Sequence, residues 1–166
     1  MSSSTPEPLT AAVLTVSDTC ARGEGSDLSG PAVAKALIEK KFSVVQTAVV
    51  ADDQNAIQKL LLQLASKANL VVTTGGTGIA ERDVTPEATK AICNRLLEGV
   101  AERMRAEGRK KTLFADLSRA VCGVHGRSII LNLPGSPKGA VESLEAVIDL
   151  LPHALQLLSG NTKHKV

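Results

Sequence analysis

The chain has 166 residues, 43% of them hydrophobic and 22% charged, with a net charge of +2. That length suits one domain with a full-sized core, and so small a charge bias gives no argument for a partner in nucleic acid or an anionic membrane. Trp and Tyr are absent and only Phe42 and Phe114 are aromatic, so the core has to be aliphatic.

Cys20, Cys93 and Cys122 show no C-x-x-C spacing, and His125, His153 and His164 are scattered. This argues against a zinc site or a disulfide framework and fits a reducing cytoplasm. The start, "MSSSTPEP", lacks the basic-then-apolar pattern of a signal peptide, and no apolar run is long enough to span a bilayer. The expected organisation is a polar, disordered segment over 1–9, a single domain over 10–160 and a solvated tail over 161–166.

The first short apolar run is Ala11–Ser17, expected as a strand. A polar loop leads to a helix over Pro31–Lys40 with Val33, Ala36 and Leu37 on one face. Ser43–Val50 is the second strand, followed by a helix over Asp53–Lys67 that aligns Ile57, Leu60, Leu61 and Leu64. Asn69–Thr74 is the third strand, then "GGTGIAERDVT", then a helix over Pro86–Glu98 carrying Ala88, Ile92 and Leu96. Arg103, Arg105, Arg109, Lys110 and Lys111 form a basic run, which ordinarily marks a solvated helix face. "SRAVCGVHGRSIILNL" reads as a hairpin around His125–Gly126, with a strand near Ala120–Val124 antiparallel to Ser128–Leu133. A last helical stretch, Pro137–Ser159, should break near Pro152. Nearly continuous apolar strands alternating with helices predict an α/β fold in three layers, α/β/α. Its mixed sheet is mostly parallel, with one antiparallel strand.

Each main strand ends in a polar or glycine-rich loop and then a helix start. Pro31, Pro86 and Pro137 are expected at the first helical position, behind Gly30, Thr85 and Ser136. In open α/β sheets ligands bind at the carboxyl ends of strands, where helix N-termini offer free N–H groups to phosphate. Gly75, Gly76 and Gly78 let the chain turn sharply and let a ligand approach the main chain. Alone, such a corner is as readily a tight turn of small residues. It is neither G-x-G-x-x-G nor a Walker loop, which disfavours a dinucleotide fold or a P-loop NTPase. Asp18, Asp52, Asp53 and Asp83 follow the strands and could hold Mg²⁺ against phosphate oxygens or bond a polar heterocycle. Asp53 alone reads better as a helix N-cap. Ser118–Arg119 could serve phosphate, although a surface helix end is the commoner reading of such a pair.

Taken together, "LTVSD", "DLSGP", "VVTTGGTGIAERDVTPEAT", "LSRAVCGVHG", "LNLPGSPKGAVE" and "LPHALQLL" resemble, in order, the molybdopterin-binding domain family. The nearest branch is that of the molybdopterin adenylyltransferases. The likeness spans about Ala11 to Gly160. It implies a MogA-like fold, a homotrimer, and the Mg²⁺-dependent joining of molybdopterin and ATP to give adenylyl-molybdopterin and pyrophosphate, before hand-off to a metal-insertion protein. By motif match, Asp52, Asp83 and Ser118 are the implied catalytic residues. The implied pocket walls are Ser17, Asp18, Thr74, Gly75, Gly76, Thr77, Gly78, Thr85, Arg119, Pro134, Gly135, Ser136 and Pro137. Asp52 and Asp83 are candidates for Mg²⁺, with its ligand set left open. Leu113 and Ala120 stand where the family often has proline, and "GVAERMRAEGRKK" departs from the common pattern. These changes bear on loop geometry and trimer contacts. Two alternatives remain open: a MoaB-type paralogue that binds molybdopterin without efficient adenylylation, and a trimeric scaffold with a vestigial pocket.

Overall fold

The computed structural model describes residues 8–160. The tail expected over 161–166, and residues 1–7 of the expected N-terminal segment, lie outside the described residues. A six-stranded sheet forms the middle layer, in the order β2-β1-β3-β6-β5-β4. Its strands are β1 (Thr10–Val16), β2 (Ser43–Val50), β3 (Leu70–Thr74), β4 (Arg95–Leu96), β5 (Cys122–His125) and β6 (Ser128–Leu133). β2, β1, β3 and β6 pair in parallel, and β5 is antiparallel to both β6 and β4. So β5 alone runs against the rest, as the hairpin pattern predicts. Gly126, with φ +59°, opens the two-residue turn into β6. A glycine in the first central place suits a turn that must match strand twist.

The helices are α1 (Asp18–Ala21), α2 (Ser29–Glu39), α3 (Gln54–Ala65), α4 (Thr85–Ile92), α5 (Glu98–Arg109), α6 (Pro137–Val147) and α7 (Leu151–Leu158). One face of the sheet, with Val13, Val72, Ile129 and Leu131, packs on Leu37 of α2, Met104 of α5, Leu144 of α6 and Leu151 of α7. The other face, with Leu14, Val71 and Ile130, packs on Ile57, Leu61 and Leu64 of α3 and Ala88 of α4. Alternate residues of each central strand thus serve opposite layers. Burying each such Leu or Ile contributes about 1.5–3 kcal/mol.

Four expectations need correction. β2 is not covered on both faces: it is an edge strand, and Val45 and Val49 stay exposed. Its register against β1 slips by one residue at Val45, since Ala11 faces Val44 and Ala12 faces Gln46. The helix expected over Pro86–Glu98 stops at Ile92. Cys93 is extended, and Asn94 N–H and Leu97 N–H donate to the carbonyls of Val124 and Cys122. Pairing with β5 outcompetes helix propensity there, and Leu96 lies in β4. Third, the basic run on α5 is not simply solvated. Arg103 Nε donates to Ala146 O, Arg105 Nη1 to Ala120 O, and Lys111 pairs with Glu142, tying α5 to α6 and to the chain before β5. Lastly, Pro31 and Pro86 are the third and second residues of their helices, whereas Pro137 is the first. The break expected near Pro152 is present as a 3₁₀ turn at Ile148–Leu150.

Candidate functional site

The loops after β1, β2, β3 and β6 meet at one rim of the sheet and enclose a cavity of about 530 Å³. Asp18, Asp52, Gly76, Asp83 and Gly135 all line it, so four separate stretches of chain build one space. Ser17, Thr74, Gly75 and Pro137 complete the expected residues found there.

The glycine corner is a consequence of crowding. Gly75 N–H donates to Leu133 O at 3.1 Å, extending the β3–β6 ladder by one bond. The chain then turns away with φ of +93° at Gly75 and +69° at Gly76, a region that penalises any side chain. A Cβ on Gly75 would collide with the carbonyl oxygen of Val16, and one on Gly76 with the hydroxyl of Thr85. Thr85 is fully buried and its hydroxyl donates to Gly75 O at 2.9 Å. It anchors the corner rather than capping α4, whose N-cap position is Val84 and makes no side-chain cap bond. Thr85 and Thr77 do not line the cavity, and the hydroxyls of Thr74 and Ser29 share one hydrogen bond at 2.8 Å.

The acids divide by role. Asp53 caps α3, accepting from Ala56 N–H at 2.8 Å. Asp27 also works structurally, accepting from Gly30 N–H at 2.9 Å and from the Thr15 hydroxyl at 2.8 Å. Asp18 and Asp52 grip each other: Asp18 N–H donates to Asp52 Oδ2 and Asp52 N–H to Asp18 Oδ1, both at 3.0 Å. Arg82 forks onto Asp18 through Nε and Nη2, and Nη2 also donates to Asp52 O at 3.2 Å. The Arg82 bond holds the Asp18 carboxyl below its usual pKa. Burial, followed by the like charges of Asp18 and Asp83, pushes Asp52 above its own. Asp83 Oδ2 accepts from Ala80 N–H at 3.0 Å. Among the described residues, none donates a hydrogen bond to Asp52 Oδ1 or Asp83 Oδ1.

Arg119 does not stand free for phosphate. Its N–H donates to Thr77 O at 2.8 Å, Nε to Gly78 O at 2.8 Å and Nη2 to Asp83 O at 2.7 Å, while Nη1 pairs with Glu87. It clamps both limbs of the glycine loop from outside. Burial raises the Glu87 pKa, but the Arg119 bond, a backbone hydrogen bond and the charges of Arg119 and Lys90 together hold it below its usual value.

Ser118, Pro134 and Ser136 line a second, smaller cavity of about 220 Å³ with Met104, Phe114 and Glu142. The 134–137 loop is the partition: Gly135 and Pro137 face the larger space, Pro134 and Ser136 the smaller. Ser136 also caps α6, accepting from Gly139 N–H at 3.1 Å. Sequence reasoning missed Arg82, Asp27 and Asn132 as organisers. Asn132 is fully buried and donates to the hydroxyls of Thr73 and Thr89 at 3.1 and 2.9 Å. The visible signal was a lone amide inside an otherwise apolar strand. Burial pushes the thiols of Cys93 and Cys122 up to about 11 and about 12, so neither is an ionised nucleophile at neutral pH. Among the described residues, no three His, Cys, Asp or Glu side chains gather to hold a metal by themselves, and no helix is long and apolar enough to cross a membrane.

A mostly parallel sheet with a glycine corner, helix starts and paired acids gathered at one rim is the layout in which open α/β folds place a ligand site. Residues 12–153 match the family model described as "Probable molybdopterin binding domain". The chain is 42% identical to a molybdopterin adenylyltransferase of Helicobacter pylori, over 90% of this chain and 87% of that one. It is 40% identical to the Drosophila melanogaster molybdenum cofactor synthesis protein cinnamon, over 93% of this chain and 26% of that protein. A solved Thermus thermophilus structure, described as the molybdopterin biosynthesis enzyme MoaB, superposes with a TM-score of 0.86 at 49% identity, covering 92% and 97% of the two chains. The chain belongs to the molybdopterin-binding domain family of molybdenum cofactor biosynthesis.

Proposed function

We propose that this protein is a molybdopterin adenylyltransferase: it transfers the adenylyl group of ATP to the terminal phosphate of molybdopterin and releases pyrophosphate. The observation that carries the reading is the common cavity of Asp52, Asp83 and Gly76 at the strand ends. The relatives' names support it from a separate direction.

A pterin phosphate oxygen forms a bond to the α-phosphorus of ATP while the bond from that phosphorus to the bridging oxygen breaks. Pyrophosphate carries away the electron pair. The attacking phosphate is already anionic, so no strong general base is needed. The chain's task is to position the two substrates and accommodate charge. Main-chain N–H groups of the glycine corner beyond Gly75, whose own N–H is spent on Leu133 O, would face the phosphates. Ser118 and Ser136, across the partition, orient the pterin end.

Magnesium fits the donors. It favours one or two carboxylates completed by substrate phosphates and water over an all-protein cage, and Asp52 Oδ1 and Asp83 Oδ1 carry no protein hydrogen bond among the described residues. Those two oxygens would hold it, and when bound it would neutralise charge on the triphosphate and on the departing pyrophosphate. The homotrimer and the hand-off to a metal-insertion protein belong to the same proposal and rest on the family resemblance; the cytoplasmic setting, also proposed, rests on the cysteine pattern. The exposed apolar side chains Leu113 and Phe114 suit a subunit or partner contact.

The deciding assay is pyrophosphate release from ATP with and without molybdopterin. Release that depends on molybdopterin is expected. The 49% identity to the structure described as MoaB favours, as a second reading, a paralogue that binds molybdopterin without efficient transfer. That reading predicts pterin binding with no pyrophosphate.

A further inference from the structure

The wall of the larger cavity has an unusual charge balance for a phosphate site. Asp18, Asp27, Asp52 and Asp83 line it, and among the described residues no Lys, Arg or His does. A triphosphate entering that space meets carboxylates, so cations have to come with it or be brought to it. Arg119 is spent on the outside of the glycine loop, with its guanidinium bonds on Gly78 O, Asp83 O and Glu87. Arg82 is differently placed. It is bonded directly to the rim acids, yet its side chain is 66% exposed while that of Asp18 is 21% exposed. Its head group therefore reaches in from solvent and caps Asp18 at the mouth.

Resting on the adenylyltransferase reading, we propose that Arg82 is a nucleotide-binding residue that changes partners. In the free protein it forks onto Asp18. In the complex it forks onto phosphate oxygens of the nucleotide. Three features support this exchange. A guanidinium presents the same planar pair of N–H donors to a carboxylate and to a phosphate, so one fork serves both. Arg82 is the water-exposed side of the pair, so a phosphate can meet its fork from solvent and replace the bonds that Asp18 gives up. Asp18 also keeps the donor from Asp52 N–H on Oδ1, so its loop stays tethered when Arg82 leaves both oxygens. The exchange ties entry of negative charge to the release of a carboxylate oxygen at the mouth.

The test compares wild type, Arg82→Lys and Arg82→Ala in calorimetric titrations with ATP, pyrophosphate and adenosine, at constant salt and with Mg²⁺ present. The ¹⁵N resonance of Arg82 Nε is followed in wild type. Affinity for ATP and for pyrophosphate should fall about tenfold or more in Arg82→Ala, with Arg82→Lys in between. Adenosine affinity should not change, and the Nε resonance should move with pyrophosphate and not with adenosine. Equal losses for ATP and adenosine would make Arg82 a loop strut and overturn the proposal. So would unchanged phosphate affinity in Arg82→Ala or, should that variant not fold, in Arg82→Lys. Wild type that binds neither ATP nor pyrophosphate would instead overturn the adenylyltransferase reading itself.

Discussion

The two cavities on either side of the 134–137 loop are built by opposite means. The larger is made of strand ends and main chain, with its side chains fixed by bonds such as Asp52 to Asp18 N–H and Thr74 to Ser29. The smaller is made largely of side chains, Met104 of α5, Phe114 of the 3₁₀ turn Leu113–Leu117 and Glu142 of α6 among them. A space shaped by backbone tolerates almost no change at its turns but holds polar groups accurately. One shaped by side chains can be resized by substitution. The chemistry should therefore fail on the first side and the choice of substrate should drift on the second.

The harshest way to break that contrast is Gly75→Val. It puts a branched side chain at φ +93° against Val16 O. Strain of about 1–3 kcal/mol corresponds to a melting temperature lower by about 2–12 °C at this size, and pyrophosphate release should vanish. Next come Asp83→Asn and Asp52→Asn, each expected to lower kcat/KM about 100-fold or more with the fold intact by thermal scan. Loss of fold in step with activity would show that these acids are structural. Asp52→Asn should in fact melt at an equal or slightly higher temperature. The folded-state pKa of Asp52 is raised, so its ionised form costs stability at neutral pH, and the cost is relieved as pH falls through that pKa. Asp18 has the opposite sign: its contribution is fully present above 3.8 and is lost as pH falls through its lowered folded value. On acidification, therefore, Asp52 takes a proton first, and transfer should decline on the acid limb before the rim loosens. Arg119→Lys keeps the charge but loses the fork that reaches Gly78 O and Asp83 O. About a tenfold fall in kcat, with KM for ATP nearly unchanged, would mark it as a positioning residue. The smallest effect is expected across the partition. Ser118→Ala should raise KM for molybdopterin about threefold and leave KM for ATP alone. An equal rise for both substrates would mean that the two spaces do not divide the substrates.

The larger side was legible in the sequence because its signals are local. β-branched runs mark the strands, glycines mark a turn that excludes Cβ, and Ser136 and Asp53 announce their helices by capping. What failed depends on distant partners. The jobs of Arg82 and Arg119 are set by residues 64 and 41 positions away, and no spacing rule encodes them. The stretch from Cys93 to Leu97 has helix-compatible residues and became extended only because β5 offered it hydrogen bonds. α5 hides its buried face, since only Ala101 and Met104 are fully covered amid charged neighbours. The smaller cavity borders that helix and was missed with it.

The slipped register at Val45 has a consequence for how the protein survives at high concentration. A sheet border is a template for polymerisation, and β2 offers both unpaired main-chain groups and the bare side chains of Val45 and Val49. An extra residue in the strand bends and twists that border, so a second copy cannot lie flat along it. At the opposite border β4 is only two residues long, too short to seed a fibril. Both margins of the sheet are thereby made poor nuclei for stacking.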